Sequence, residues 1–161
     1  MFIGITGRAG SGKTTVANIM KGVLGNTIIH PFAYSLKKFA TILGWNGKKD
    51  KKGRKLLQTL GTECGRNLID ENLWVNNWEF EIHKLIMYYK YIIIDDVRFE
   101  NEAEIIRKKK GIIFHVVRPL TCELPQHISE EPLETEEEDI LIINNRSIDG
   151  LEKTIKCMIC G

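Results

Sequence analysis

The sequence predicts a three-layer α/β domain built around a central parallel sheet of about five strands. Three observations carry that expectation. Short apolar runs alternate along the chain with longer segments of helical periodicity, the pattern of successive β-α-β units. One run, "YIIIDD", is continuously apolar up to its closing acids, as a strand buried on both faces of a parallel sheet must be. A glycine-rich stretch, residues 7–12, lies between the first apolar run and the first helical pattern.

The elements follow in order. "FIGIT" is the first strand, and a helix is expected over residues 13–24. "NTIIHPF" reads as a second strand, and "SLKKFATIL" as a helix opened by Ser35, a good N-cap residue. "GKKDKKGRK" is a basic, glycine-containing loop. Two helical stretches are expected over residues 54–69 and 72–89, before the strong strand "YIIIDD". "FENEAEIIRKKKG" is a helix stopped by Gly111, "IIFHVV" a further strand, "ILII" the last strand, and residues from Ser147 onward the last helix. Residues 119–139 are polar, acidic and proline-bearing and read as a loop or lid. No internal repeat and no second domain are expected in 161 residues.

Bulk composition excludes several classes. The net charge of +2 argues against a strong polyanion partner, so any basic site must be local. No apolar run approaches a membrane span. Met1 is followed at once by a core strand rather than a secretory leader. Cys64, Cys122, Cys157 and Cys160 are therefore expected as free thiols in a reducing, cytoplasmic setting. The terminal "CMIC" has CxxC spacing but no second pair, so it reads as packed or frayed thiols rather than a zinc site.

The glycine-rich stretch carries the chemistry. Gly7-Arg8-Ala9-Gly10-Ser11-Gly12-Lys13-Thr14 fits G-x-x-x-x-G-K-[ST] at every fixed position, between a strand and a helix as that phosphate-binding loop requires. Glycines let the backbone wrap closely around phosphates, the loop amides form a nest of donors, and the helix start adds its positive end. Lys13 is expected at the β- and γ-phosphates, the Thr14 hydroxyl on Mg²⁺, and Thr15 completes the ATP-binding run. A dinucleotide loop fits less well, because Ala9 stands where its middle glycine would be and it has no use for Lys13.

"YIIIDDVRF" ends a strand in two acids, which alternation points to opposite faces. Continued strand geometry would put Asp96 and Arg98 on one face, a carboxylate for Mg²⁺ beside a guanidinium for phosphate. Asp96 is the preferred metal ligand and Asp95 the alternative. The bland reading has one acid capping the next helix and Arg98 paired with it. In "RKLLQTLGTECGR", Arg54, Gln58 and Thr62 form a polar stripe at i, i+4, i+8, with Gly61 and Gly65 nearby and Arg66 at its far end. The stripe suits reading a base edge and holding a phosphate; equally it suits a solvated face, with glycines for helix packing. Arg118 follows "FHVV" at the start of the lid and is a candidate to close on the ATP phosphates or a surface arginine. The basic loop, which lacks interleaved aromatics, reads as solvated and near the acceptor site rather than as a nucleic-acid surface. The acidic run 130–139 likewise reads as solvated, and His30, His83 and His115 as packed.

The segments "PFAYSLKKF", "LLQTLGTECGRNLIDENLWVNNW", "DDVRFENEAEIIR", "HISE" and "DILIINNRSIDGLEKTI" occur in that order behind the P-loop. Together they resemble the deoxynucleoside monophosphate kinases of phages and large DNA viruses. The resemblance covers nearly the whole chain and implies a single P-loop kinase domain, residues 1–161, with a helical acceptor-binding insertion over about 35–90 and a lid-like loop over about 118–139. It implies ATP- and Mg²⁺-dependent phosphoryl transfer to a deoxynucleoside monophosphate, by a monomer or homodimer with no nucleic-acid polymer or membrane partner. It supports Lys37, Gln58, Thr62, Arg66, Trp74, Arg98, His127 and Glu130 around the acceptor, with Gly61, Asp96, Glu102 and Ser129 as further matches, and Tyr34 is an added acceptor candidate. Lys13, Arg66 and Arg98 are the implied catalytic groups. Tyr34 departs from the family's usual Asp and could stack on a base or simply pack. Dephospho-coenzyme A kinase is the nearest rival enzyme and a catalytically silent nucleotide-binding module another; a GTPase would need an Asn-Lys-x-Asp segment, which "NNRSID" is not.

Overall fold

The computed structural model describes residues 1–119, 133–145 and 147–160. Five parallel strands form one sheet in the order β2-β3-β1-β4-β5: β1 (Phe2–Thr6), β2 (Thr27–Ile29), β3 (Tyr91–Ile94), β4 (Ile112–Val117) and β5 (Ile140–Ile143). The expected α/β class and parallel five-strand sheet are both present.

Helices cover both faces. On one side α1 (Lys13–Leu24) and α6 (Ile148–Cys160) enclose a core that includes Ile5, Val16, Met20, Ile142 and Ile155. On the other, α4 (Leu73–Leu85) and α5 (Glu100–Lys108) cover Ile92, Ile94 and Ile113 with Trp78, Ile82 and Ile106. The central strands β1, β3 and β4 are largely apolar on both faces because both of their faces are mostly buried, whereas the edge strand β5 exposes Leu141 and Ile143. Gly4 breaks the apolar run of β1 for a steric reason: a Cβ there would stand 2.5 Å from Ile113 Cδ1 and 2.9 Å from Ile106 Cδ1, so its absence lets α5 seat on the sheet.

Two helical expectations change in detail. The helix after β2 is α2 (Tyr34–Ile42), which starts before Ser35 and has no side-chain cap of its own. Its preceding amides, at Phe32 and Ala33, donate instead to the Asp96 carboxylate from across the fold, at 2.8 and 3.0 Å. The stretch expected as one α-helix over 54–69 is α3 (Lys51–Gln58), capped by the Asp50 side chain, running straight into an eleven-residue π-helix, Thr59–Ile69. Wide-turn helix is rare and needs outside support. Trp74 Nε1 donates to the Gly61 carbonyl at 2.8 Å, and a Cβ at Gly65 would lie 2.9 Å from the Trp74 ring. A Cβ at Gly61 would lie 3.0 Å from Leu36 Cδ2. Both glycines therefore serve helix packing.

The acidic run is not wholly solvated. The Asp139 carboxylate is buried, accepting from Arg107 Nη2 at 2.6 Å and sitting 2.9 Å from His115 Nε2, while Glu136 pairs with Arg107 at 2.7 Å. Burial opposes ionisation there, but the Arg107 hydrogen bond prevails and holds Asp139 below the usual carboxylate range. His115 is packed, as expected, and ties this return segment to β4.

Candidate active site

Parallel strands bring their carboxyl ends to one edge, and the turns leaving that edge form a crevice. The glycine-rich loop leaves β1 there, Asp95 and Asp96 leave β3, Arg118 leaves β4 and Asn144 leaves β5.

The loop has the backbone its glycines allow. Gly7, Gly10 and Gly12 have φ of 141°, 78° and 103°, all in the region that disfavours side chains. A Cβ on Gly7 would also overlap the Val116 carbonyl, and one on Gly12 the Asn144 side-chain amide. Lys13 Nζ folds back to donate to the carbonyls of Gly7 at 2.5 Å and Arg8 at 2.9 Å, which places its ammonium over the loop. Ser11 Oγ is buried with no hydrogen-bond partner among the described residues. An orphaned hydroxyl inside a donor-rich cradle is chemically matched to a phosphate oxygen.

Asn144 is a part of this site that the sequence reading missed. Its Nδ2 donates to the Ser11 carbonyl at 2.8 Å, and its backbone amide to Val117 at 2.7 Å, so β5 staples the loop in place. Sequence offered only its position after an apolar strand.

The two acids have different partners. Thr14 Oγ1 donates to Asp95 Oδ2 at 3.2 Å, so the carboxylate facing the loop is Asp95. Asp96, the preferred metal ligand on sequence grounds, is committed to the amides of Phe32 and Ala33. Burial pushes its carboxyl up, and the nearby Lys37 pulls it back. The extrapolation failed because β3 ends at Ile94: the chain turns, and the Val97 amide returns to the Ile5 carbonyl at 3.3 Å. Strand alternation does not extend through that turn. A hydroxyl and a carboxylate in hydrogen-bond contact are hard oxygen donors of the kind Mg²⁺ uses, so Thr14 and Asp95 fit that ion.

Arg66 also has a different place from the one expected. It is 7% exposed, ion-paired to Glu102 and bonded to the Glu71 carbonyl at 2.9 Å, with its guanidinium 3.8 Å from the Phe99 ring centre. Desolvation lowers the Arg66 pKa against the pull of Glu102. Glu102 in turn accepts the Arg98 amide at 2.8 Å and the Phe99 amide at 3.3 Å. The pair therefore clamps the π-helix to the start of α5 and fixes the backbone at Arg98. Trp74, expected at the acceptor, is the brace of the π-helix described above.

The remaining acceptor candidates are spread over several elements. Lys37, on α2, and Arg98, after β3, both lie in the electrostatic field of Asp96. Gln58 and Thr62 are half-buried at the junction of α3 and the π-helix. Tyr34, 39% exposed, has its ring 4.7 Å from His30 and 4.9 Å from the Lys38 ammonium. His30 is buried and bonded to Glu81 at 3.0 Å. Arg118 is exposed at the end of β4, beyond Val116 and its contact with Gly7. His127, Ser129 and Glu130 lie outside the described residues. No helix among the described residues is long and apolar enough to cross a membrane.

Comparison with known proteins bears on the acceptor half. The family model for deoxynucleotide monophosphate kinase matches residues 41–155, a span that begins after the P-loop and so does not depend on that widely shared motif. A relative from Acanthamoeba polyphaga mimivirus is 30% identical over 98% of this chain and 96% of its own length. The deoxynucleotide monophosphate kinase of Escherichia phage RB69 is 34% identical over 64% of this chain, which is 43% of the phage protein. The crystal structure of an unliganded sugar kinase from Janibacter sp. HTCC2649 covers 95% of this chain and 90% of its own at a TM-score of 0.50 and 16% identity, a likeness of fold. With its phosphate cradle, its strand-end acids and these relatives, the chain belongs to the deoxynucleotide monophosphate kinase family and is a P-loop nucleotide kinase.

Proposed function

We propose that the protein transfers the γ-phosphoryl group of ATP to the phosphate of a deoxynucleoside monophosphate, giving ADP and the deoxynucleoside diphosphate. The observation that carries this reading is the pairing of a cradle containing an orphaned buried hydroxyl, Ser11, with a family match confined to the region beyond it.

Phosphoryl transfer asks a protein for alignment and charge neutralisation rather than covalent chemistry. The amides of residues 7–15 hold the donor phosphates, and Lys13 leaves its two loop carbonyls to follow the γ-phosphoryl. Thr14 and Asp95 would hold Mg²⁺, which would supply charge neutralisation at the donor phosphates. An acceptor phosphate oxygen attacks the γ-phosphorus as the bond to the β-bridging oxygen breaks, and ADP leaves. Arg98, its backbone fixed by Glu102, faces the charge that develops. Lys37 holds the acceptor phosphate, while Gln58 and Thr62 offer amide and hydroxyl groups to the acceptor base. Tyr34 walls the acceptor side, and Arg118 reaches toward the donor phosphates from the end of β4. Asp96 and Arg66 act indirectly, by fixing α2 and Arg98.

A coupled ADP-release assay over the four deoxynucleoside monophosphates, their ribose counterparts and dephospho-coenzyme A tests this. Turnover is expected on at least one deoxy acceptor, with Lys13→Ala and Arg98→Ala each reduced by about a hundredfold or more. No turnover on any acceptor, or turnover only on dephospho-coenzyme A, rejects the proposal.

A further inference from the structure

The glycines of the phosphate loop permit its shape without choosing the direction of each peptide. A glycine takes positive and negative φ about equally well, so the loop sequence leaves several arrangements open. The Ser11–Gly12 peptide is fixed from outside the loop. Asn144 Nδ2 donates to the Ser11 carbonyl at 2.8 Å across 133 positions of sequence, and Asn144 is buried. Only the amino end of a side-chain amide can face a carbonyl oxygen, so this bond has one direction. Asn144 is anchored in turn, because its backbone amide donates to the Val117 carbonyl at 2.7 Å, at the end of β4. Gly12 leaves the space that the side chain needs: a Cβ there would stand 2.4 Å from Asn144 Nδ2. The Ser11 amide donates to the Arg8 carbonyl at 3.1 Å, so both backbone groups of Ser11 are tied.

A trans peptide is planar and directs its carbonyl and its N–H oppositely. The described residues contain no cis peptide bond. A Ser11 carbonyl turned toward Asn144 therefore turns the Gly12 amide away from the Asn144 side chain. Gly12 is the N-cap of α1, a position whose amide has no partner inside the helix, and no side-chain hydrogen bond caps that end.

We propose that Asn144 is a positioning residue for the donor nucleotide: by holding the Ser11 carbonyl, it turns the Gly12 amide into the loop, where an α- or β-phosphate oxygen accepts from it. The inference rests on the nucleotide-kinase reading above and adds to it a residue of β5 that acts through a peptide of the loop. A neutral amide suits the task, since it supplies a donor to the carbonyl without bringing a charge of its own beside a triphosphate.

The test uses the full chain with Asn144→Asp, which keeps the size of the side chain and replaces its donor by an acceptor, and Asn144→Leu, which keeps the bulk and removes the polarity. ATP, ADP and each deoxynucleoside monophosphate are titrated calorimetrically, and the KM values of ATP and acceptor are measured by ADP release. Both variants are expected to raise the ATP Kd and KM about tenfold to a hundredfold, the scale of one hydrogen bond to a charged group. Asn144→Asp should show the larger loss, because its carboxylate also repels the phosphates. ADP should lose as much affinity as ATP, since it keeps the phosphates that the loop amides cradle. The acceptor constants should stay within about twofold. A purely structural Asn144 would lower the melting temperature without separating donor from acceptor. Wild-type ATP and ADP affinity in either folded variant, a loss for ATP that ADP does not share, or an equal loss for the acceptor overturns the assignment and leaves the kinase reading intact. A wild type that binds ATP but phosphorylates none of the four acceptors rejects the kinase reading, while weaker ATP and ADP binding by the variants would still uphold the role of Asn144. A wild type that binds neither ATP nor ADP removes both.

Discussion

The donor and acceptor halves of the crevice are held together by different physics. The donor cradle is a run of eight consecutive residues, shaped by positive-φ glycines and closed by the lysine that follows them. Its few long-range supports, such as Asn144 on Ser11, refine a geometry that the local chain already outlines. The proposed acceptor half comprises α2, α3, the π-helix and the turn after β3, and its braces are contacts between residues far apart in sequence: Arg66 with Glu102, Asp96 with the amides before α2, Trp74 with Gly61. A contiguous site can be read as a motif; a dispersed one is defined by which distant groups satisfy each other. It should also be the half that is more easily broken by mutations remote from substrate.

The largest effect that would expose this difference is in the clamp. Arg66→Ala leaves Glu102 buried without its countercharge and should cost about 3–5 kcal/mol of stability, read in a denaturant melt. A loss below about 1 kcal/mol would show that the clamp is no brace. The strand-end acids give a paired test. Asp95→Asn should lower kcat by about a hundredfold with the melting temperature nearly unchanged. Asp96→Asn should cost about 1–3 kcal/mol of stability, because one of two buried amides loses its acceptor. If the two variants exchange phenotypes, the assignment of Asp95 to the metal is wrong.

A smaller effect concerns pH. Burial raises Glu102 to about 7, with Arg66 pulling the other way. The folded state then holds this proton more tightly than the unfolded chain, whose ordinary value is 4.5. The stability it contributes is complete below that value and is lost as pH rises through about 7. Melts of wild type between those two values should decline with a slope that Glu102→Gln flattens; equal slopes would remove Glu102 as the cause. The smallest effect is Trp74→Phe, which keeps the ring against Gly65 but drops the bond to Gly61. It should cost about 1 kcal/mol and raise the acceptor KM more than the ATP KM.

Several features were legible from sequence because their causes are local. A glycine-rich turn ending in lysine and threonine between strand and helix can be recognised from the residues alone. The parallel sheet was likewise legible, because its central strands, buried on both faces, read as nearly continuous apolar runs such as Tyr91–Ile94. What the tertiary structure decided were the partners. Which of Asp95 and Asp96 faces Thr14 depends on where β3 stops and how the Val97 amide returns to β1. That Arg66 is a buried clamp follows from α5 bringing Glu102 beneath the π-helix. Residue type states what a side chain can bond, but only the folded chain determines which complementary group comes within reach, and at those positions several partners were chemically acceptable.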